Sequence, residues 1–332
     1  MSNQSHRPAT HSGSWYSNNR TTLTNQLTQW LNSATLPQSI TSHINECCAV
    51  ISPHAGYSYS GSTAAYSYKV LQEKVNNNNQ IINIFILGPS HHYYTNKCEV
   101  TQYTHYDSPI NSIPINTEIC NKLVTQYSNM FSYMKHSVDN DEHSIELQLS
   151  FISHIMSNKQ YKLVPILIGS IYQSTERQYG ELLAEYILDK QNFFIMSSDF
   201  CHWGSRFQYT YTVPDITPIY KSIEYIDKQA MMIISQSVVR CNVNEWYTYM
   251  KQTQNTICGR HPISVYLNAI VHIQQQNNNQ QTYTLPFIAY TQSSHCETKR
   301  DSSVSYAAGV CVKCQTIQYD TDNLATPEIS DD

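Results

Sequence analysis

Four short apolar runs in this chain each stop at a Gly, Pro or Ser and are followed at once by residues that can ionise. That repeated boundary leaves few architectures open. Cys47 to Ser52 leads into Pro53-His54-Ala55-Gly56, and Ile81 to Leu87 leads into Gly88-Pro89-Ser90-His91. Leu163 to Ile168 leads into Gly169, and Phe193 to Ser198 leads into Asp199-Phe200-Cys201-His202. Apolar runs without polar alternation are the pattern of strands covered on both faces. Helical patterns separate them, such as Thr22 to Asn32 and Glu142 to Met156, in which Ile145, Leu149, Ile152 and Met156 share one face. Asp139 followed by Glu142 reads as a capping box, which predicts a helix starting near Asn140. Pro262 predicts the first residue of a later helix through Val265, Leu267 and Ile270.

Alternating strands and helices predict an α/β fold: a single domain with a mixed, largely parallel sheet flanked by helices. In such sheets ligands bind outside the carboxyl ends of the strands. His54, His91, Asp199 and His202 all fall there, so joint use in one site is expected although each alone would read as a structural residue. Neutral imidazole is the commonest metal ligand, and His54 with His91 supplies two. For a third ligand the sequence offers Asp199 or Cys258, the latter just before the helix that Pro262 opens, where a helix N-terminus favours a thiolate. His261 lies in the same stretch, and Arg260 fits an anion-binding turn. His143 and Glu146 stand at i and i+3 and could face one pocket. His11, Trp15 and Tyr16 are expected as pocket wall, with His92 beside His91.

Composition narrows the function class. The chain has 332 residues, 40% of them hydrophobic, enough for a sizeable core. Its net charge of −5 and the lack of a Lys/Arg stripe argue against nucleic-acid and anionic-membrane partners. No apolar run approaches the roughly 20 residues of a membrane span. The expected setting is the cytoplasm, with nothing that bars the nucleus. There the ten cysteines are expected as thiols, including the lone C-x-x-C of Cys311 and Cys314. Asn76 to Asn79 and Gln274 to Gln281 read as solvated insertions, and 316–332 as a disordered acidic tail beyond a domain over 1–315. A monomer is expected, since no amphipathic stripe is left over.

Seven stretches resemble one family in order along residues 5 to 312. They are "HSGSWY" (His11 to Tyr16), "PHAGYSYSGS" (Pro53 to Ser62), "IFILGPSHH" (Ile84 to His92), "DEHSIE" (Asp141 to Glu146), "SSDFCHWG" (Ser197 to Gly204), "NTICGRHPI" (Asn255 to Ile263) and "DSSVSYAAG" (Asp301 to Gly309). They resemble the Memo family, named for mediators of receptor tyrosine kinase-driven cell motility, whose fold is similar to the catalytic subunit of class III extradiol dioxygenases. Those enzymes hold iron(II) with two His and one carboxylate. The resemblance implies His54 and His91 at the histidine positions, Cys258 in place of the Glu, and Asp199 and His202 lining the pocket, His202 at the acid-base position. A thiolate is softer than a carboxylate and favours copper(I) or zinc over iron(II), so ring cleavage does not follow from the fold. The resemblance implies a copper- or iron-binding redox protein linked to motility and cytoskeletal signalling. Two other readings stand beside it. One is a non-catalytic adaptor for phosphotyrosine-containing receptor or signalling proteins, with Arg260 meeting the anion; the other is a metal-assisted or cysteine hydrolase.

Overall fold

The computed structural model describes residues 5–77, 81–278, 282–314 and 324–328. Twelve strands are found among them: β1 (His6–Arg7), β2 (Cys47–Ser52), β3 (Asn83–Pro89), β4 (Cys98–Val100), β5 (His105–Asp107), β6 (Ser112–Pro114), β7 (Phe131–Tyr133), β8 (Lys162–Ile168), β9 (Asn192–Ser197), β10 (His202–Trp203), β11 (Phe287–Gln292) and β12 (Ser303–Val312). The helices are α1 (Arg20–Ser33), α2 (Gln38–Thr41), α3 (Tyr57–Asn76), α4 (Thr117–Gln126), α5 (His136–Asp141), α6 (His143–Ile155), α7 (Gln173–Leu188), α8 (Ile219–Val239), α9 (Asn244–Thr253) and α10 (Arg260–Gln276). The four apolar runs are β2, β3, β8 and β9, and every residue of β3 and β9 is buried.

The main sheet runs β10-β12-β2-β9-β3-β8-β4-β7, with β11 paired to β12. Its centre, β2-β9-β3-β8, is parallel. Antiparallel β12 and β4 flank it. The mixed, largely parallel sheet read from the sequence is therefore present. β1, β5 and β6 form a second, three-stranded sheet.

Pleating sends alternate side chains to opposite helical layers. Ala49, Phe194 and Phe85 are in register across β2, β9 and β3, and the two phenylalanines stack with ring centroids 4.5 Å apart. Tyr186 of α7 and Tyr266 of α10 pack on this face. Burying one such ring stabilises the fold by roughly 1.5–3 kcal/mol. The opposite face takes α6: a Cβ at Gly88 would lie 2.6 Å from Ser144 Oγ and 2.7 Å from Ile145 Cγ1, so the helix start approaches β3 only because that position has no side chain. α3 packs beside α6 on this face, against β2 and β12, and α1 packs on both helices. That layer buries the helix all round from His143 to Ser153, where the sequence pattern showed one apolar face.

Several boundaries differ from expectation. α6 begins at His143, not near Asn140, and its cap is Glu142, whose carboxylate accepts from the Ser144 N–H at 2.9 Å. Asp139 is unavailable for capping because Arg7 and Tyr106 hold its carboxylate at 3.0 and 2.6 Å. α10 begins at Arg260, so His261 lies inside its first turn and Pro262 is its third residue. Asn76 closes α3, and Gln274 is buried within α10, donating to the Val238 carbonyl, while 78–80 and 279–281 lie outside the described residues. In the expected acidic tail, Ala325 bridges to Ala289, exchanging backbone hydrogen bonds of 3.0 and 3.1 Å with Tyr290 and Ile288. The edge of β11 orders that piece through its unpaired backbone groups, which apolar content does not foretell. Residues 315–323 and 329–332 lie outside the described residues. The ten cysteines are thiols rather than disulfides. No described helix is long and apolar enough to cross a membrane.

Candidate metal centre

β9 lies between β2 and β3, so residues leaving those two outer strands converge above its carboxyl end. His54 follows β2 and His91 follows β3; their rings are 5.1 Å apart between centroids. His143, the first residue of α6, joins them from the layer above, 5.4 Å from His54 and 4.3 Å from His91. One ligand atom from each of these three histidines lies within 4.8 Å of the others. Cys258 arrives from the opposite layer, just before α10, and its Sγ is 3.1 Å from His54 Nε2. The site thus draws on both helical layers and on two strand ends.

Hydrogen bonds fix the open nitrogen of His54 and hold the Nδ1 proton of His91. The Ser197 hydroxyl donates its proton to the Ser144 carbonyl at 2.6 Å, so it can only accept at the 2.7 Å contact with His54 Nδ1. His54 therefore carries its proton on Nδ1 and turns a bare Nε2 toward Cys258. Glu142 performs the same task for His91, its Oε1 meeting Nδ1 at 2.8 Å while Oε2 takes the His91 N–H at 2.7 Å. Such partners orient metal-binding histidines. His143 Nδ1 is buried and lies 3.6 Å from Glu142 Oε1, beyond hydrogen-bond distance.

Burial and mutual repulsion keep two of the rings neutral. Desolvation, then the neighbouring His91 and other imidazoles, lowers His54 well below the ordinary histidine value and brings His143 to about 3. His91 differs: burial opposes its charge, but hydrogen bonds to Cys258 and Glu142 outweigh it and raise it to about 10. Burial pushes the Cys258 thiol up, against the pull of His91. Asp199 is raised to about 7 by burial, while its Oδ1 accepts the His54 N–H at 2.8 Å. His202 Nδ1 faces two carbonyls, of Phe200 at 2.9 Å and Thr256 at 3.0 Å, so it carries the proton and Nε2 is a free base. Burial keeps that ring neutral by lowering its affinity for a second proton.

His54, His91, Cys258 and Asp199 were expected here from the sequence, and the fold brings them together; His202 belongs to the same electrostatic neighbourhood. His143, foreseen only as a pocket residue, stands among the candidate ligands. The rings of His11 and Trp15 lie 5.9 and 4.5 Å from that of His143, and the ring of His92 lies 5.8 Å from it. Tyr16 is instead a buried core residue bonded to Glu146. Arg260 and His261 face away and line another cavity, which includes none of the three clustered histidines. Glu142, Ser197 and Thr256 orient the site but were missed. Glu142 was foreseen only as a capping residue, and Ser197 and Thr256 only as members of the stretches "SSDFCHWG" and "NTICGRHPI".

Comparison with known proteins agrees with the motifs. The family model described as "Memo-like protein" matches residues 7–310. The "Protein memo-1 homolog" of Caenorhabditis elegans is 41% identical over 305 residues, covering 92% of this chain and 82% of its own. "Protein MEMO1" of Homo sapiens is 40% identical over 305 residues, covering 91% of this chain and 96% of its own. That of Xenopus laevis is 40% identical over 315 residues, covering 94% and 99%.

Proposed function

The chain belongs to the Memo-like family, and from that premise we propose a metal-binding, redox-type protein whose ion is held by His54, His91 and Cys258, with His143 as the neighbouring donor. The observation that carries this reading is the meeting of the bare His54 Nε2 with Cys258 Sγ at 3.1 Å, in a cluster where one ligand atom each of His54, His91 and His143 lies within 4.8 Å of the others. Imidazole nitrogens with one thiolate suit copper(I) or zinc better than iron(II), and copper is the member of that pair that can carry electrons.

The protein's own groups prepare the site. Ser197 and Glu142 hold the two Nδ1 protons so that both Nε2 atoms face inward. Asp199 anchors the His54 backbone and, ionising near neutrality, can hold a proton on its carboxylate; His202 Nε2 can accept one. Work in motility signalling, the role that the family name denotes, is the cellular setting of this reading. A phosphotyrosine-binding adaptor using this same pocket gains nothing from Arg260, which lines a different cavity.

Anaerobic titration of metal-free protein with copper(I), iron(II) and zinc, repeated on His91→Ala, His143→Ala and Cys258→Ala, tests the proposal. One ion per chain, with copper(I) preferred and lost in His91→Ala and Cys258→Ala, supports it. Retention in Cys258→Ala with loss in His143→Ala would replace it with a three-histidine site, and no binding of any of the three metals would end it.

A further inference from the structure

β2 and β12 slip in register at the amino end of β2, the end of that strand away from His54. Ala49 pairs with Cys311 and Cys47 with Val312, so Cys48 is an extra residue in β2. An extra residue breaks the in-out alternation of a strand and re-aims its side chain. Cys48 Sγ consequently lies 3.6 Å from the Cys311 carbonyl oxygen and 3.5 Å from the Tyr266 hydroxyl of α10. The two thiols also hydrogen-bond to each other. Neighbouring strands lie about 4.8 Å apart, and disulfides span Cα separations of about 4.4–6.8 Å, so the pair sits where a bridge can close.

The two thiols are not alike. Cys311 is fully buried, whereas Cys48 is partly exposed. The hydrogen bond with Cys311 outweighs burial and lowers the Cys48 thiol below its ordinary value, helped by Tyr266 and by the Lys74 ammonium. Burial, then the hydrogen bond and charge of Cys48, push Cys311 well above its own. Cys47, one residue away, is pushed up to about 12 by burial, and Cys120 likewise. One accessible sulfur biased toward the thiolate, beside a buried one that keeps its proton, is the division of labour of an attacking and a resolving cysteine.

We propose that Cys48 and Cys311 are a peroxide-sensitive thiol pair that closes reversibly to a disulfide between β2 and β12, with Cys48 attacking and Cys311 resolving. The oxidant is hydrogen peroxide, which needs to reach only Cys48. The Cys48 sulfur takes one peroxide oxygen: the S–O bond forms, the O–O bond breaks, and the departing hydroxide takes up the thiol's proton as water. Cys311 then attacks the Cys48 sulfur: the S–S bond forms, the S–O bond breaks, and hydroxide leaves with the Cys311 proton as a second water. The two sulfurs give up two electrons and one peroxide becomes two waters. A dithiol reductant reverses the bridge by exchange and is itself oxidised. The pair requires neither the metal site nor Cys258.

The test treats the native full chain with hydrogen peroxide, caps the remaining thiols with iodoacetamide, and maps the digest by mass spectrometry with and without dithiothreitol. The expected result is a linked peptide joining Cys48 to Cys311, lighter than its two parts by two hydrogens, released by dithiothreitol and formed equally in Cys258→Ala. In Cys311→Ala, whose fold circular dichroism verifies, Cys48 is expected to stop at the sulfenic acid and to be trapped by dimedone. Uncrosslinked Cys48 and Cys311 in the oxidised native chain overturn the proposal, as does a bridge from Cys48 to any other cysteine. Loss of the bridge in Cys258→Ala also overturns it, since the oxidation would then run through the metal site. A dimedone adduct on Cys311 in Cys48→Ala, with none on Cys48 in Cys311→Ala, overturns the assigned order of attack.

Discussion

Glu142 and Glu146 stand one turn apart at the start of α6, and both are buried carboxylates held down at about 2, yet they serve different ends. For each, burial opposes ionisation and close partners outweigh it. Glu142 is held by His91 and spends its hydrogen bonds on that ring and on the start of its own helix. Glu146 is held by His11, Arg7 and Tyr16, at 2.9, 2.7 and 2.7 Å, and so clasps the N-terminal segment against the body of the fold. Through that clasp His11 and Trp15 come to rest beside His143. A depressed carboxylate is therefore not itself a mark of chemistry; what it positions decides its role.

The largest effect that can break this contrast is on stability. Glu146→Ala takes one of two buried carboxylates from the Arg7 guanidinium, leaving it with Asp139, and is expected to cost about 3–5 kcal/mol in a denaturant melt. A loss below about 1 kcal/mol would mean that the clasp is not structural. Acidification is a gentler probe of the same group. Because the folded value of Glu146 lies below the usual 4.5, its stabilisation is fully present above that pH and is lost as pH falls toward about 2. The loss amounts to about 3 kcal/mol, and Glu146→Gln is expected to flatten the acid limb of the stability curve by that amount.

Glu142→Gln sharpens the other side of the comparison. It is expected to lower metal affinity about 10- to 100-fold, measured by competition with a chelator, while Arg7, His11 and Tyr16 keep their contacts. Equal affinity in the variant would remove the positioning role assigned to Glu142. Ser197→Ala, which removes the acceptor of His54 Nδ1–H together with the hydroxyl's bonds to the Ser144 carbonyl and Gln148 Nε2, is expected to have a smaller effect of about tenfold by the same assay. As a baseline, Arg177→Ala breaks the exposed pair with Glu181 and is expected to change stability by less than about 0.5 kcal/mol.

Much of the sheet could be read in advance because burial on both faces demands unbroken apolar runs. β2 was bounded to the residue, and β3, β8 and β9 to within two. The short strands β4, β5, β6 and β7, of three residues each, carry too little pattern to announce themselves. The start of α6 was misplaced for a different reason: Asp139 has the chemistry of a cap, but Arg7, far away in sequence, claims it. His261 and Arg260 were grouped with Cys258 by proximity in the chain, whereas the turn into a helix sends neighbours in different directions.

The sequence by itself determined the α/β class, the family, and the placement of His54, His91 and Asp199 at strand ends, because these follow from local runs and motifs. Only the tertiary structure decided that β9 would lie between β2 and β3, that His143 and Cys258 would arrive from opposite helical layers, and that Ser197 and Glu142 would set the protons on two imidazoles. Strand order and hydrogen-bond partners are relations between residues distant in the chain. No local pattern encodes them, and they are fixed when both faces of the sheet are buried at once.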